Sequence, residues 1–162
     1  MKRRRVLSIS LAFILLLSSC VWAAEEWDYV TYENARFAYE VEYPDYLTQD
    51  GDLPVNGDGI RLAGEGATLT FWGSYNVLSQ TPEDYLSMTT EGMVDVSTKR
   101  GDDYCQYSFT EGDEKTLQYV YFPSDSKILG FRITYPKSEK KAYKKILKQI
   151  KKSLRENTEA IG

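Results

Sequence analysis

Residues 115–122 and 127–135 are two runs of alternating apolar and polar side chains, separated only by Pro123-Ser124-Asp125-Ser126. Side chains of an extended strand point to opposite faces in turn, so Leu129, Phe131, Ile133 and Tyr135 share one face. Four large apolar groups in a row have to be buried. The residues between the runs are turn formers, and the two runs therefore pair as an antiparallel β-hairpin. The same period of two recurs in Phe37, Tyr39, Val41 and Tyr43, in Leu69, Phe71 and Tyr75, and in Cys105, Tyr107 and Phe109, while a further strand starts at Ile60. This makes about six strands.

Two segments change period. Thr81-Pro82-Glu83-Asp84 supplies a capping hydroxyl, a proline for the first helical position and acids for the positive first turn, which predicts a helix from about 82 to 93. Ser138 follows Pro136 as the expected cap of a second helix, in which Tyr143, Ile146, Leu147, Ile150 and Leu154 recur at helical spacing through about 155. Strands followed by a terminal helix, without regular alternation of the two, predict an α+β fold. The expected architecture is a central antiparallel sheet of about six strands covered by helices, including a long C-terminal amphipathic one.

The order of these elements carries short motifs: Tyr32-Glu33-Asn34-Ala35-Arg36-Phe37, a strand ending Tyr43-Pro44, Asn56-Gly57-Asp58-Gly59, Leu69 through Asn76, and Ile133-Thr134-Tyr135-Pro136 before the last helix. Together, over roughly residues 29–155, they resemble bacterial envelope proteins of the PsbP-like, Mog-type fold. The resemblance implies a central antiparallel sheet between helices. It implies little about activity, because that fold hosts photosystem subunits, a Ran-binding nuclear protein and many secreted proteins.

The N-terminus addresses location. Lys2, Arg3, Arg4 and Arg5 precede Val6–Leu17, an apolar run interrupted only by two serines. At 1.5 Å per residue this run makes a helix of roughly 18 Å, short of a bilayer core of about 30 Å, so it reads as a secretory signal rather than a span. Two cleavage sites compete. Leu17-Ser18-Ser19-Cys20 matches a lipobox position by position, with Cys20 the residue that takes the lipid, whereas Val21 and Ala23 suit an ordinary signal peptidase. The preferred division is a lipoprotein signal over 1–19, a lipidated Cys20 and tether over 20–28, a single domain over 29–156 and a disordered tail over 157–162. This gives a lipid-anchored extracytoplasmic protein; the alternative is a soluble secreted one. With Cys20 acylated or removed, Cys105 is the remaining thiol, so the fold has no disulfide within the chain and stands on its core. Cys105 lies on an apolar strand face and reads as a buried small hydrophobe.

Charge is unevenly spread. Residues 25–136 hold 7 basic and 21 acidic residues, and residues 137–162 hold 9 basic and 3 acidic. An acidic body argues against a nucleic-acid ligand. Around the apolar stripe of the last helix stand Lys137, Lys140, Lys141, Lys144, Lys145, Lys148, Lys151, Lys152 and Arg155. Lys141, Lys144, Lys148, Lys151 and Lys152 are candidate contacts to an anionic surface, against the plainer reading of a solvated helix face.

The chain has no histidine, which removes Ser-His-Asp and Cys-His hydrolysis and every His-ligated zinc site. Ser138-Glu139-Lys140-Lys141 keeps the S-x-x-K spacing of penicillin-recognising enzymes, but the S-D-N and K-T-G elements that complete such sites do not occur. Asp50, Asp52, Asn56 and Asp58 could offer oxygen ligands to Ca²⁺. The EF-hand pattern fails there: Pro54 and Val55 stand where an oxygen ligand and a glycine belong. Turn chemistry in Asn56-Gly57 and Asp58-Gly59 is the simpler account. Trp72 lies on the polar face of its strand, where it either stacks on a ligand or is covered by a helix. The leading reading is a non-catalytic, monomeric envelope lipoprotein that binds or helps assemble a partner and needs no cofactor. A Ser138–Lys141 hydrolase and a cation-binding module are the alternatives.

Overall fold

The computed structural model describes residues 27–157. The segment expected to be a signal, Cys20 and residues 158–162 lie outside them. A seven-stranded antiparallel sheet forms the centre, in the order β3-β4-β5-β9-β8-β7-β6, where β3 is Thr48–Gln49, β4 Gly59–Gly64, β5 Ala67–Tyr75, β6 Ser97–Arg100, β7 Tyr104–Glu111, β8 Glu114–Ser124 and β9 Lys127–Pro136. A second, three-stranded sheet has the order β1-β2-β10, with β1 at Tyr29–Asn34, β2 at Tyr39–Pro44 and β10 at Arg155–Glu156. Two helices complete the fold, α1 at Pro82–Thr90 and α2 at Lys140–Ser153.

The β8–β9 hairpin forms as its pattern requires, with Phe131 opposite Tyr119 and Ile133 opposite Leu117. Leu129, Phe131, Ile133 and Tyr135 are all buried. They join Leu69 and Phe71 of β5, Tyr39 and Val41 of β2, and Tyr143, Ile146, Leu147 and Ile150 of α2 in one core. One face of the large sheet is thus covered by α2 and the small sheet. On the other face Cys105, Val120 and Ile128 pack with Trp72 and with Tyr85 and Leu86 of α1. Cys105 is the buried thiol its strand pattern predicts, and burial pushes its pKa up to about 11.

Four expectations need correction. The expected strands do not all share one sheet: β2 pairs with β1 and β10 in the small sheet, and the large sheet gains the two-residue β3 and also β6, which pairs through its backbone while all four of its side chains are exposed, leaving no alternation to read. The strand expected from Phe37 begins at Tyr39, since Ala38 adopts a positive φ of 47° within the β1–β2 turn. Helix α1 stops at Thr90, where Glu91 turns extended and Gly92 takes a φ of 74°. Ser138 does not cap α2. It sits inside a 3₁₀ turn, Lys137–Glu139, whose i to i+3 backbone bonding supplies the start that a side-chain cap would have served. The α1 cap does form: the Thr81 hydroxyl accepts from the Asp84 N–H at 3.2 Å, and the Asp84 carboxylate accepts from the Thr81 N–H at 2.9 Å.

The motifs in Tyr32–Phe37, Asn56–Gly59 and Leu69–Asn76 meet at one place. Asn34, buried, donates to the Gly57 carbonyl at 3.0 Å and accepts from the Phe37 N–H at 2.9 Å. Arg36 donates to the Asn56 carbonyl, and the Gly73 N–H donates to the Asp58 carbonyl at 2.8 Å. Gly73 is obligatory because the Phe37 ring lies where a side chain would be: a Cβ there would stand 2.6 Å from it. These residues lock the β1–β2 turn and the 54–58 turn onto β5. Asn34→Ala leaves a buried N–H and a carbonyl unpaired, and we expect a loss of about 2–4 kcal/mol in urea unfolding. Asn34→Asp, which keeps the acceptor for Phe37, should lose less; equal stability of all three proteins would show that the lock carries no weight.

Candidate functional site

Helix α2 has two unlike sides. Tyr143, Ile146, Leu147, Ile150 and Ser153 are buried, and at 100° per residue this leaves Lys141, Lys144, Lys145, Lys148 and Lys152 along the opposite side, all exposed. Among the described residues the ion pairs are Arg61–Asp50, Arg100–Glu83, Lys127–Glu156 and Arg155–Glu40. None involves those five lysines. Both ends of the helix are fixed. At its start the Tyr143 ring stacks on Tyr135 with centroids 4.4 Å apart, and the Tyr46 hydroxyl donates to that of Tyr143 at 3.1 Å. Trp27 packs on Tyr46 at 5.9 Å, so the first described residue lies beside the first turns of α2. At the far end the Ser153 hydroxyl accepts from the Glu42 N–H at 2.9 Å, and Gln149 donates to the Glu42 carboxylate.

Lys151 departs from the expected surface role. It is half-buried and turns onto the sheet, where its ammonium donates to Gln106 Oε1 and sits 5.2 Å from the centre of the Tyr119 ring. Its helical position explains this: 100° from Ile150, it lies on the boundary between the stripe and the lysine face, and a long stem there covers apolar surface. Burial, reinforced by the nearby charge of Lys99, brings its pKa from 10.5 down to about 8. Lys151 therefore belongs to a separate group of residues, and the outward lysine face consists of Lys141, Lys144, Lys145, Lys148 and Lys152.

Most polar groups of the 50–59 loop are already engaged, within the loop or by neighbouring residues. Asp50 pairs with Arg61 at 2.7 Å, the Asn56 amide donates to the Asp58 carboxylate at 2.7 Å, and the Gly57 N–H donates to the Pro54 carbonyl at 2.8 Å. Asp52 is exposed. Among the described residues no cluster of three or more Asp, Glu, Cys or His side chains is disposed to hold a metal ion. Ser138 and Lys141 are both exposed, and no hydrogen bond joins them. Trp72 is half-buried over Gly130, its cross-strand partner, where a Cβ would stand 2.5 Å from the indole. It packs into the cluster under α1.

Sequence patterning missed one concavity. A cleft of about 580 Å³ opens at one end of the large sheet between Asn76–Pro82, Asp102–Asp103 and Phe122–Asp125. The loop above it is held by Asn76, which donates to the Gln80 carbonyl and accepts from its N–H, both at 2.9 Å, and it leaves Val77 and Leu78 largely in solvent. An exposed Val-Leu pair in a polar loop was the available signal.

No protein-family profile matches this sequence, and no curated protein sequence matches it. Solved structures do. Cyanobacterial PsbP (CyanoP) from Synechocystis sp. PCC 6803 superposes with a TM-score of 0.54 at 13% identity, over 86% of this chain and 98% of its own. The Ran-binding protein Mog1p of Saccharomyces cerevisiae superposes with a TM-score of 0.57 at 8% identity, over 82% of this chain and 97% of its own. The chain therefore has the PsbP/Mog1-type α+β fold, as its motifs suggest.

Lys151 also makes stability depend on pH. Below pH 8 both folded and unfolded chains carry the charge, and the folded one bears its burial. Between about pH 8 and 10.5 the folded protein releases the proton first, so stability rises with pH. Buried tyrosines such as Tyr119, raised to about 12 by burial, oppose this from pH 10 upward. Relative to Lys151→Met, the melting temperature of the wild type should climb from pH 7.5 to 9.5. A constant difference over that window would mean that Lys151 is solvated.

Proposed function

We propose that this chain is a non-catalytic binding module of the cell envelope, tethered through a lipid on Cys20 and seated on an anionic lipid surface by the outward face of α2. The observation that carries the reading is that face: five lysines in twelve residues, none paired with a carboxylate among the described residues, on a helix whose other side is locked into the core. Lysines near an anionic bilayer contribute about 1 kcal/mol each. The tether supports the same surface. From Cys20 to Trp27 the chain can reach at most about 25 Å, and α2 is about 21 Å long. Because Trp27 packs beside the start of α2, a bilayer holding Cys20 lies within reach of the whole lysine face.

A protein partner is the second reading. Mog1p, which shares the fold, is a Ran-binding protein. Exposed Tyr75, Val77 and Leu78 beside the acidic cleft are the surface here that suits such a partner.

The anchor is tested by the intact mass of the mature protein extracted from its native membrane. The expected mass begins at Cys20 and carries a diacylglyceryl group, and Cys20→Ala removes it; a lipid-free mass beginning near Ala24 would overturn the anchor. The surface is tested with the unlipidated Cys20→Ala protein and vesicles of phosphatidylcholine with or without phosphatidylglycerol. Binding should require the anionic lipid and weaken with salt, and Lys144→Ala with Lys148→Ala should lower it about 30-fold. Binding indifferent to both changes would reject the lysine face as the contact.

A further inference from the structure

Lys151 and Lys99 reach one spot from different elements. Lys99 of β6 is the register partner of Gln106 of β7, so the two side chains stand on the same face of the sheet. Lys151 of α2 donates to Gln106 Oε1 and lies against the Tyr119 ring, which itself stacks on Tyr104 at 5.5 Å. The aromatic pair forms a low-dielectric wall behind the ammonium. Asp103 acts on Tyr119, but among the described residues no carboxylate pairs with Lys151 or Lys99. Lys127, Arg61, Arg100 and Arg155 each pair with an acid, whereas Lys151 faces a neutral amide and a second lysine. Two cations brought together, one of them half-buried and uncompensated, raise the free energy of the empty site, and an anion placed between them lowers it.

We propose that Lys99, Lys151 and Gln106 form a binding site for a phosphate-class oxyanion at the junction of α2 with the β6–β7 edge. With Oε1 occupied by Lys151, the Gln106 amide has its two N–H donors left for the anion. Lys151 spends one N–H on Gln106 and keeps two, and Lys99 brings three from the exposed edge. Compact ammonium groups with rotatable donors suit a tetrahedral oxyanion approached from several sides. The wall formed by Tyr119 and Tyr104 strengthens each of these contacts relative to bulk water. The site is distinct from the outward lysine face, and it takes its ligand either as a free phosphate or as the headgroup phosphate of a lipid on which that face rests.

The test follows the side-chain NMR signals of lysine and glutamine in the full mature protein as inorganic phosphate is added. Saturable shifts at Lys151 and Gln106, with the Lys151 pKa rising as phosphate binds, are expected, while Lys141 on the outward face responds weakly and without saturation. Lys99→Gln lies on an exposed edge and leaves the fold intact; removing its charge-assisted hydrogen bonds should weaken phosphate about tenfold, as should Lys151→Gln. Vesicles containing phosphatidylglycerol separate the two sources. If Lys99→Gln weakens vesicle binding as well, the headgroup is the ligand; if only free phosphate is affected, a soluble oxyanion is. Lys151 shifts no larger than those of Lys141, or phosphate affinity unchanged in both variants, would overturn the proposal.

Discussion

The contact between the apolar stripe of α2 and the aromatic layer beneath it governs both the core and the surface of this protein. Tyr143, Ile146, Leu147 and Ile150 bury against residues of β2, β5 and β9, and each such side chain stabilises the fold by about 1.5–3 kcal/mol. Like charges at i, i+4 on the opposite side oppose the helix by only about 0.2–0.5 kcal/mol per pair. Burial wins by a wide margin. The core can thus hold a helix with so many lysines in one orientation, and the charge display of the outer face follows from packing on the inner one.

The same contact orients the small sheet. Helix α2 runs directly into β10, whose Arg155 pairs with Glu40 of β2, while Ser153 and Gln149 engage Glu42. The C-terminal end of the helix is therefore tied to β2 by polar contacts. Its N-terminal end is tied to Tyr46, and through Tyr46 to Trp27. The position of Trp27 and the direction of the lysine face are set by one arrangement, so the proposed tether and the charge on the last helix bear on the same side of the protein.

Much of this was legible in the sequence where the signal was local. The β8–β9 hairpin, the strand of Leu69 and Phe71, the Thr81 cap and the stripe of α2 all follow from side-chain period or capping chemistry within a few residues. Features set by distant contacts were not. Strand β6 is held by backbone pairing to β7 with four exposed side chains, and β10 is two residues added to β2 from across the chain. Gly73 appears in sequence as an interruption of a strand, and only the Phe37 ring above it explains the need for a missing side chain. Of the candidate residues, the outward lysines follow directly from helical geometry. Lys151 could not be separated from them, because a residue at the edge of a stripe is assigned by the surface that its stem meets.

That surface gives the lysine its meaning. A helix face that served solubility alone would point its charges at water, and an inward lysine recruited for stability would be expected to meet an acid, as Lys127 meets Glu156 at 2.6 Å. Position 106 holds glutamine. A glutamate there would neutralise Lys151 and leave Lys99 as an ordinary edge-strand charge. Glutamine satisfies one N–H of the ammonium, leaves the positive potential in place and keeps its own amide donors free to act beside it. The arrangement is costly as an element of the fold and economical as part of a site that an anion completes.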